Sequence, residues 1–122
     1  MGLREFLNSA KPRREAVTVP GWDGVAYVRR LTGAERLAVA EWQEGQPDGP
    51  RTDMMLGVKL AVLALVDAEG AQVFQPEDEG WLLDTDPDWI QAVVTAAAKL
   101  NRLGEFAEKN SAPPGVSPAA SP

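Results

Sequence analysis

Acidic side chains are the groups in this chain whose type and spacing most suggest chemistry. Asp84, Asp86 and Asp88 alternate as calcium-loop ligands do, and Asp67, Glu69 and the run Glu77, Asp78, Glu79 add further carboxylates. A calcium loop also needs glycine at its sixth position and glutamate at its twelfth; here those positions hold Trp89 and Thr95. Capping explains the triplet better, with Asp86 as N-cap and Pro87 as first residue of a helix. A carboxylate pair for glycoside cleavage normally needs a deeper cleft than so small a domain offers. Cys 0 and His 0 remove disulfides, thiolate nucleophiles, imidazole bases and the usual zinc sites. Gly21 and Gly24 flank Trp22 and Asp23 in a hairpin loop and make no phosphate cradle. The expectation is a protein with no catalytic residues, no cofactor and no metal.

Composition points the same way. The 122 residues, 44% apolar and 25% charged, suit one modest globular domain. A net charge of -6 disfavours nucleic acid as a partner, since phosphate binding draws on clustered Lys and Arg. The small basic cluster Lys11, Arg13, Arg14 reads as a solvated linker. The absence of cysteine fits a reducing cytoplasm, and the first ten residues, MGLREFLNSA, lack the apolar core of a signal peptide and read as mature protein.

The element that must organise the rest is the long apolar run at residues 54–66, MMLGVKLAVLALV. At about 100° per residue, Met54, Val58, Ala61, Val62 and Leu65 share one side of a helix and Leu56, Leu60 and Leu63 the other. A helix apolar on both sides lies between layers or reserves one side for a partner. The run is too short to cross a bilayer, which takes about 20 apolar residues, so no membrane role is expected.

Around it, residues 3–8 make a short helix with Leu3, Phe6 and Leu7 on one face, docking loosely. Residues 16–19 and 25–28 read as a hairpin whose loop is Pro20 to Gly24, lying against helices through Val17, Val19, Tyr27 or Val25. Thr32 and Glu35 have capping-box spacing, so a helix starts at Thr32, with Ala34, Ala38 and Trp42, flanked by Leu37, facing inward. GQPDGP at residues 45–50 breaks it. Asp67 to Gly70 reads as a turn, residues 72–74 as extended, and residues 76–79 as a helix first turn. The last long helix buries Trp89, Ile90, Val93, Val94, Ala97 and Leu100, with Asp88, Gln91, Thr95, Lys99 and Arg102 opposite. Asn101 falls on the apolar side near its end before Gly104, there to bond helix-end carbonyls or water, or to meet a partner. The fold class is therefore α+β: a small, mainly helical domain over residues 1–110 with an N-terminal β-hairpin packed on a helical bundle. Residues 111–122, rich in Pro, Ser and Ala, lack the apolar content to fold and read as a disordered tail.

Interaction surfaces follow from the same pattern. Leu56, Leu60 and Leu63 stand at i, i+4, i+7, the spacing by which one helix offers a stripe to another, and Lys59 beside them can reach a partner's carboxylate. The alternative is that the N-terminal helix or the hairpin covers this stripe. An exposed stripe would also support self-association. Trp42 and Trp89 read as core, whereas Trp22 and Trp81 stand equally well as core or as exposed anchors.

Three segments, VTVPGWDGVAYVRRLTGAER (residues 17–36), LVDAEGAQVF (65–74) and LNRLGEFAEKNS (100–111), together resemble the tail assembly chaperones of long-tailed phages and prophages. The chain departs from that pattern chiefly in the GQPDGP loop. The resemblance implies a non-enzymatic protein of the bacterial host cytoplasm, absent from the mature virion, that binds the helical tape measure protein and keeps it soluble while tail tube subunits polymerise. It also implies a frameshift-extended form that recruits tail tube protein, for which Glu108, Lys109 and Asn110 are the place to look. The rival reading is a structural tail completion or connector protein of the virion.

Overall fold

The computed structural model describes residues 2 to 103. In chain order they form α1 (Leu3–Ser9), β1 (Arg14–Val17), β2 (Ala26–Arg29), α2 (Gly33–Glu44), α3 (Pro50–Ala64), β3 (Leu65–Val66), a 3₁₀ turn (Pro76–Asp78), α4 (Glu79–Leu82) and α5 (Pro87–Asn101). The architecture is α+β and mainly helical, with the N-terminal hairpin packed on helices as expected. Residues 104 to 122 lie outside the described residues, and with them Gly104, the expected tail and the candidate frameshift position.

The antiparallel sheet has the order β1-β2-β3. Its hairpin register pairs Arg14 with Arg29 and Val17 with Ala26, so the strands begin and end nearer the open end than the alternation of residues 16–19 predicts. Arg14, expected in a solvated linker, opens β1 instead. Its guanidinium lies 4.6 Å from the Tyr27 ring centroid and donates 2.8 Å to the Ala68 carbonyl, contacts that no local pattern reveals. β3 is a second correction. Leu65 and Val66 leave the apolar helix and pair with Val28 and Tyr27, because β2 supplies a ladder edge and the Asp67 turn pulls the chain round. The Asp67 carboxylate accepts the Glu69 and Ala71 amides, while Gly70 takes φ 87, where a side chain would be strained.

α3 lies between two packed layers. Leu60, Ala61 and Ala64 join Ala26, Val28, Val93, Ala97 and Leu100 in the larger core, while Val58 and Val62 meet Leu82 and Ile90 in a smaller one. Met54, expected on a covered side, is 38% exposed, at a cleft that it lines with Pro87, Gln91 and Val94 of α5. Close approach to α5 is allowed by Gly57, where an added Cβ would stand 3.2 Å from Ile90 Cγ2. α5 buries the face expected of it and is capped by the Asp86 carboxylate, which accepts the Asp88 amide. α1 buries none of its residues.

α2 begins with the expected capping box: Glu35 N–H donates to Thr32 Oγ1, and Thr32 N–H to Glu35 Oε1. Its inward face is not the expected one. Ala34, Leu37 and Ala38 are exposed, whereas Val39 and Trp42 are partly covered, and no residue of α2 is fully buried. Position is set instead by polar bonds at its start. Arg29 donates to both oxygens of Glu35 at 2.9 and 2.7 Å, and Arg36 donates to the Asn101 carbonyl at 2.9 Å. Asn101, 1% exposed, accepts the Leu31 amide at 2.7 Å and donates to the Arg29 and Ala97 carbonyls. It bonds helix-end backbone as read from the sequence, and in addition clamps α5 to the junction of β2 and α2. α5 then stops with Arg102 in the left-handed region, φ 58.

Two outcomes follow. Asn101→Ala strands the Leu31 amide and the Arg29 carbonyl, and at about 1–3 kcal/mol per unsatisfied buried group should lower the unfolding free energy by about 2–4 kcal/mol in urea titration. The Arg29 guanidinium, aided by Thr32 and opposed by burial, holds the Glu35 carboxyl below its ordinary 4.5. The ion pair therefore contributes fully above about pH 4.5 and is lost as pH falls through the depressed folded value. Glu35→Gln should flatten that acid limb in denaturation curves taken between pH 5 and pH 3, on the order of the window in which carboxylates titrate.

Candidate protein-binding site

The acidic clusters go to structure. Asp67 shapes its turn, Asp86 caps α5, and Asp78 accepts the Gln75 amide and the Trp81 indole N–H, which together hold its carboxyl below the ordinary value. Among the described residues, no group of three or more Asp or Glu is placed to hold a metal ion. No described helix is long and apolar enough to cross a membrane.

The stripe on α3 is divided by packing. Leu60 is 7% exposed and belongs to the larger core, with Leu56 and Leu63 partly buried against that core. The N-terminal helix plays no part in that cover, which comes from the sheet, α5 and α2. Lys59 reaches a carboxylate, but one of the same chain: Nζ donates 3.1 Å to Glu79 Oε1 and lies 5.0 Å from the Trp42 ring centroid. It thereby ties α2, α3 and α4 together.

Among the described residues, what remains open of the stripe is a groove between α2 and α3. Leu31, Val39, Ala40, Leu56, Leu60 and Leu103 line it around about 370 Å³, with Arg36 and Gln43 at its polar rim. Of the apolar residues of α2 only Val39 and Trp42 are partly covered, and Ala40 on the groove wall is exposed. A trough lined by Leu31, Leu56 and Leu60 suits apolar side chains on one face of a partner helix. Val39 and Ala40 carry no sequence signal for this place, since helical spacing from the capping box points to Ala34, Ala38 and Trp42 as the inward face.

Trp22 and Trp81 are both largely exposed, at 51% and 53%. They flank a second apolar surface. Trp22 lines a cleft of about 550 Å³ with Val19, Val25, Val73, Phe74 and Trp89, while Phe74 meets Trp81 edge-on at 5.8 Å. The Trp22 ring lies across Gly24, where an added Cβ would fall 2.0 Å from Cζ2, so the glycine spacing in WDG is what lets the indole fold down. Val25, expected to pack on helices, is 63% exposed at this cleft, and Val73 is 45% exposed. A β-branched residue next to a loop glycine was the available signal for Val25.

With these surfaces in place, the fold can be set beside known structures. It matches the structure of the bacteriophage HK97 tail assembly chaperone with a TM-score of 0.65, covering 80% of this chain and 95% of that chain at 22% sequence identity. The fold is thus like that of this phage tail assembly chaperone. No protein-family model matches the sequence, and no curated protein matches it.

The Lys59 contacts make a direct prediction. Lys59→Glu sets a second carboxylate against Glu79 and removes the cation from Trp42, so it should destabilise the fold by roughly 1–3 kcal/mol in thermal or urea melts, whereas Lys59→Met should cost less.

Proposed function

We propose that this chain is a tail assembly chaperone that binds the tape measure protein of a long-tailed phage or prophage and keeps it soluble during tail tube assembly. The observation that carries this is the fold likeness, which spans 95% of the HK97 chaperone chain. The surface supports it. A tape measure protein is a long helical chain, and the α2–α3 groove presents Leu56 and Leu60 in a trough fit for one face of a helix. On this reading the protein works by binding and not by catalysis, acts in the host cytoplasm, is absent from mature particles, and engages tail tube protein through a longer frameshifted product. A virion connector would instead remain in purified tails at fixed copy number.

The test is co-purification with tape measure fragments. Ala40 is exposed on the groove wall, so Ala40→Glu should leave melting unchanged and weaken capture about tenfold or more, the effect of 1.4 kcal/mol or above. Ala34→Glu, also exposed on α2 but outside the groove, should bind as the parent does. Equal capture by both variants removes the groove from the reading. Finding the protein in purified tails removes the chaperone role.

A further inference from the structure

The N-terminal helix is built in a way that the rest of the molecule does not use. Leu3, Phe6 and Leu7 share one face of α1, yet they are 72%, 56% and 61% exposed. Three apolar side chains on so short a helix lie open to water although the body offers apolar clefts. Charge sets this segment apart as well. Of 12 basic and 18 acidic residues, Arg4, Lys11 and Arg13 fall with one acid, Glu5, in residues 1 to 13. That leaves nine basic against seventeen acidic residues for the remainder, so a segment of charge +2 is joined to a body of charge -8.

The Trp22 cleft is its complement. It is lined by Val19, Trp22, Val25, Val73 and Phe74, with Asp67 on its wall and Asp23 next to Trp22 in the loop. We infer that α1 of one molecule docks its Leu3, Phe6, Leu7 face into the Trp22–Val25–Val73–Phe74 cleft of a second copy of this chain, with Arg4 and Lys11 facing the acidic body.

The molecule's own cleft is the wrong one. The Arg13 carbonyl already accepts the Arg30 amide at 2.8 Å, so only Ala10, Lys11 and Pro12 link α1 to the sheet, and Pro12 stiffens that link. Lys11 and Pro12 lie beside Arg14 and Arg29, side chains that alternate with core-facing Ala26 and Val28 and therefore stand on the outer face of the sheet. Ala26 and Leu65, at the back of the cleft, belong to the core face. A link of three residues, about 10 Å at full extension, holds the end of α1 near the open end of the hairpin, where Arg14 pairs with Arg29, whereas Val19, Trp22 and Val25 of the cleft lie at its loop end. A neighbouring molecule meets no such constraint. The contact joins two different surfaces, so each bound copy still offers one arm and one cleft, and repetition gives a ring or an open chain. This association uses neither the α2–α3 groove nor the tape measure protein, so it stands or falls apart from the chaperone reading.

The test is sedimentation velocity of the full chain across a concentration series. Phe6→Glu disables the arm and Val25→Glu the cleft, both at exposed positions, with Leu3→Glu and Val73→Glu as second variants should either of the first pair melt abnormally. The parent should form species larger than a monomer whose population grows with concentration and shrinks with added salt. Each variant alone should be monomeric. Mixed one to one, the arm variant and the cleft variant should form a dimer and nothing larger, because one good arm and one good cleft remain between them. A monomeric parent, a mixture that stays monomeric, or a Val25→Glu and Val73→Glu pair that both still assemble would overturn the inference, the last by pointing to arm-on-arm pairing or to the α3 stripe.

Discussion

One buried amide decides where the pieces of this fold stand. Asn101 is the only fully buried polar side chain among the described residues, and its three bonds reach the end of β2, the start of α2 and its own helix. Burying an amide without partners costs several kcal/mol, so α5 can end in the core only where the Leu31 amide and the Arg29 carbonyl are waiting. That condition fixes the sheet against α5 and, through Arg36 and the Arg29–Glu35 pair, fixes the root of α2. Hydrophobic contact alone tolerates sliding, whereas a donor and an acceptor held within 3.2 Å do not.

The open groove is a consequence of that constraint. Because α2 is held at its root by hydrogen bonds and at its far end by Trp42 over Lys59, it stands beside α3 without burying a residue. An ordinary amphipathic helix would close the trough by packing an apolar stripe into it. Here Ala34 and Ala38 are turned outward, Val39 alone reaches the larger core from the middle of the helix, and Leu56 keeps part of its surface. Polar anchoring therefore supplies both rigidity and an accessible apolar floor, a combination that a fully packed bundle lacks.

What could be read from the sequence was what is settled within a few residues. The Thr32–Glu35 capping box, the Asp67 to Gly70 turn, the Asp86 cap and the 3.6-residue face of α5 are each closed by neighbours up to four positions away, and each appears as expected. The two-sided apolar character of α3 also carried through, since no arrangement buries both sides except one between layers. The misreadings are non-local. Leu65 and Val66 continue an apolar helical pattern and become a strand because β2 offers them an edge. The inward face of α2 shifts by one position because bonds from Arg29 and to Asn101, 65 residues away from Arg36, set its rotation. Of the candidate binding residues, Trp22 and Trp81 stand exposed, Leu56 and Leu60 line the groove with Leu60 nearly buried in the core beneath it, Leu63 packs partly buried against that core, and Lys59 is taken up by Glu79 of the same chain.

Distribution of charge links the two apolar surfaces to solubility. A body of charge -8 repels its copies at long range, which keeps exposed leucines, valines and tryptophans from collapsing against one another indiscriminately. The same field favours approach by a segment of opposite sign, and falls off over a Debye length of roughly 8–10 Å at physiological ionic strength. Selectivity then arises from sequence order: the Trp22 cleft carries Asp67 on its wall and Asp23 beside it, while the basic residues of the first 13 positions accompany the exposed apolar face of α1. Like-charged bodies thus hold each other off at long range while a basic amphipathic segment is drawn to an apolar cleft beside acids, so repulsion and attraction are assigned to different parts of one chain.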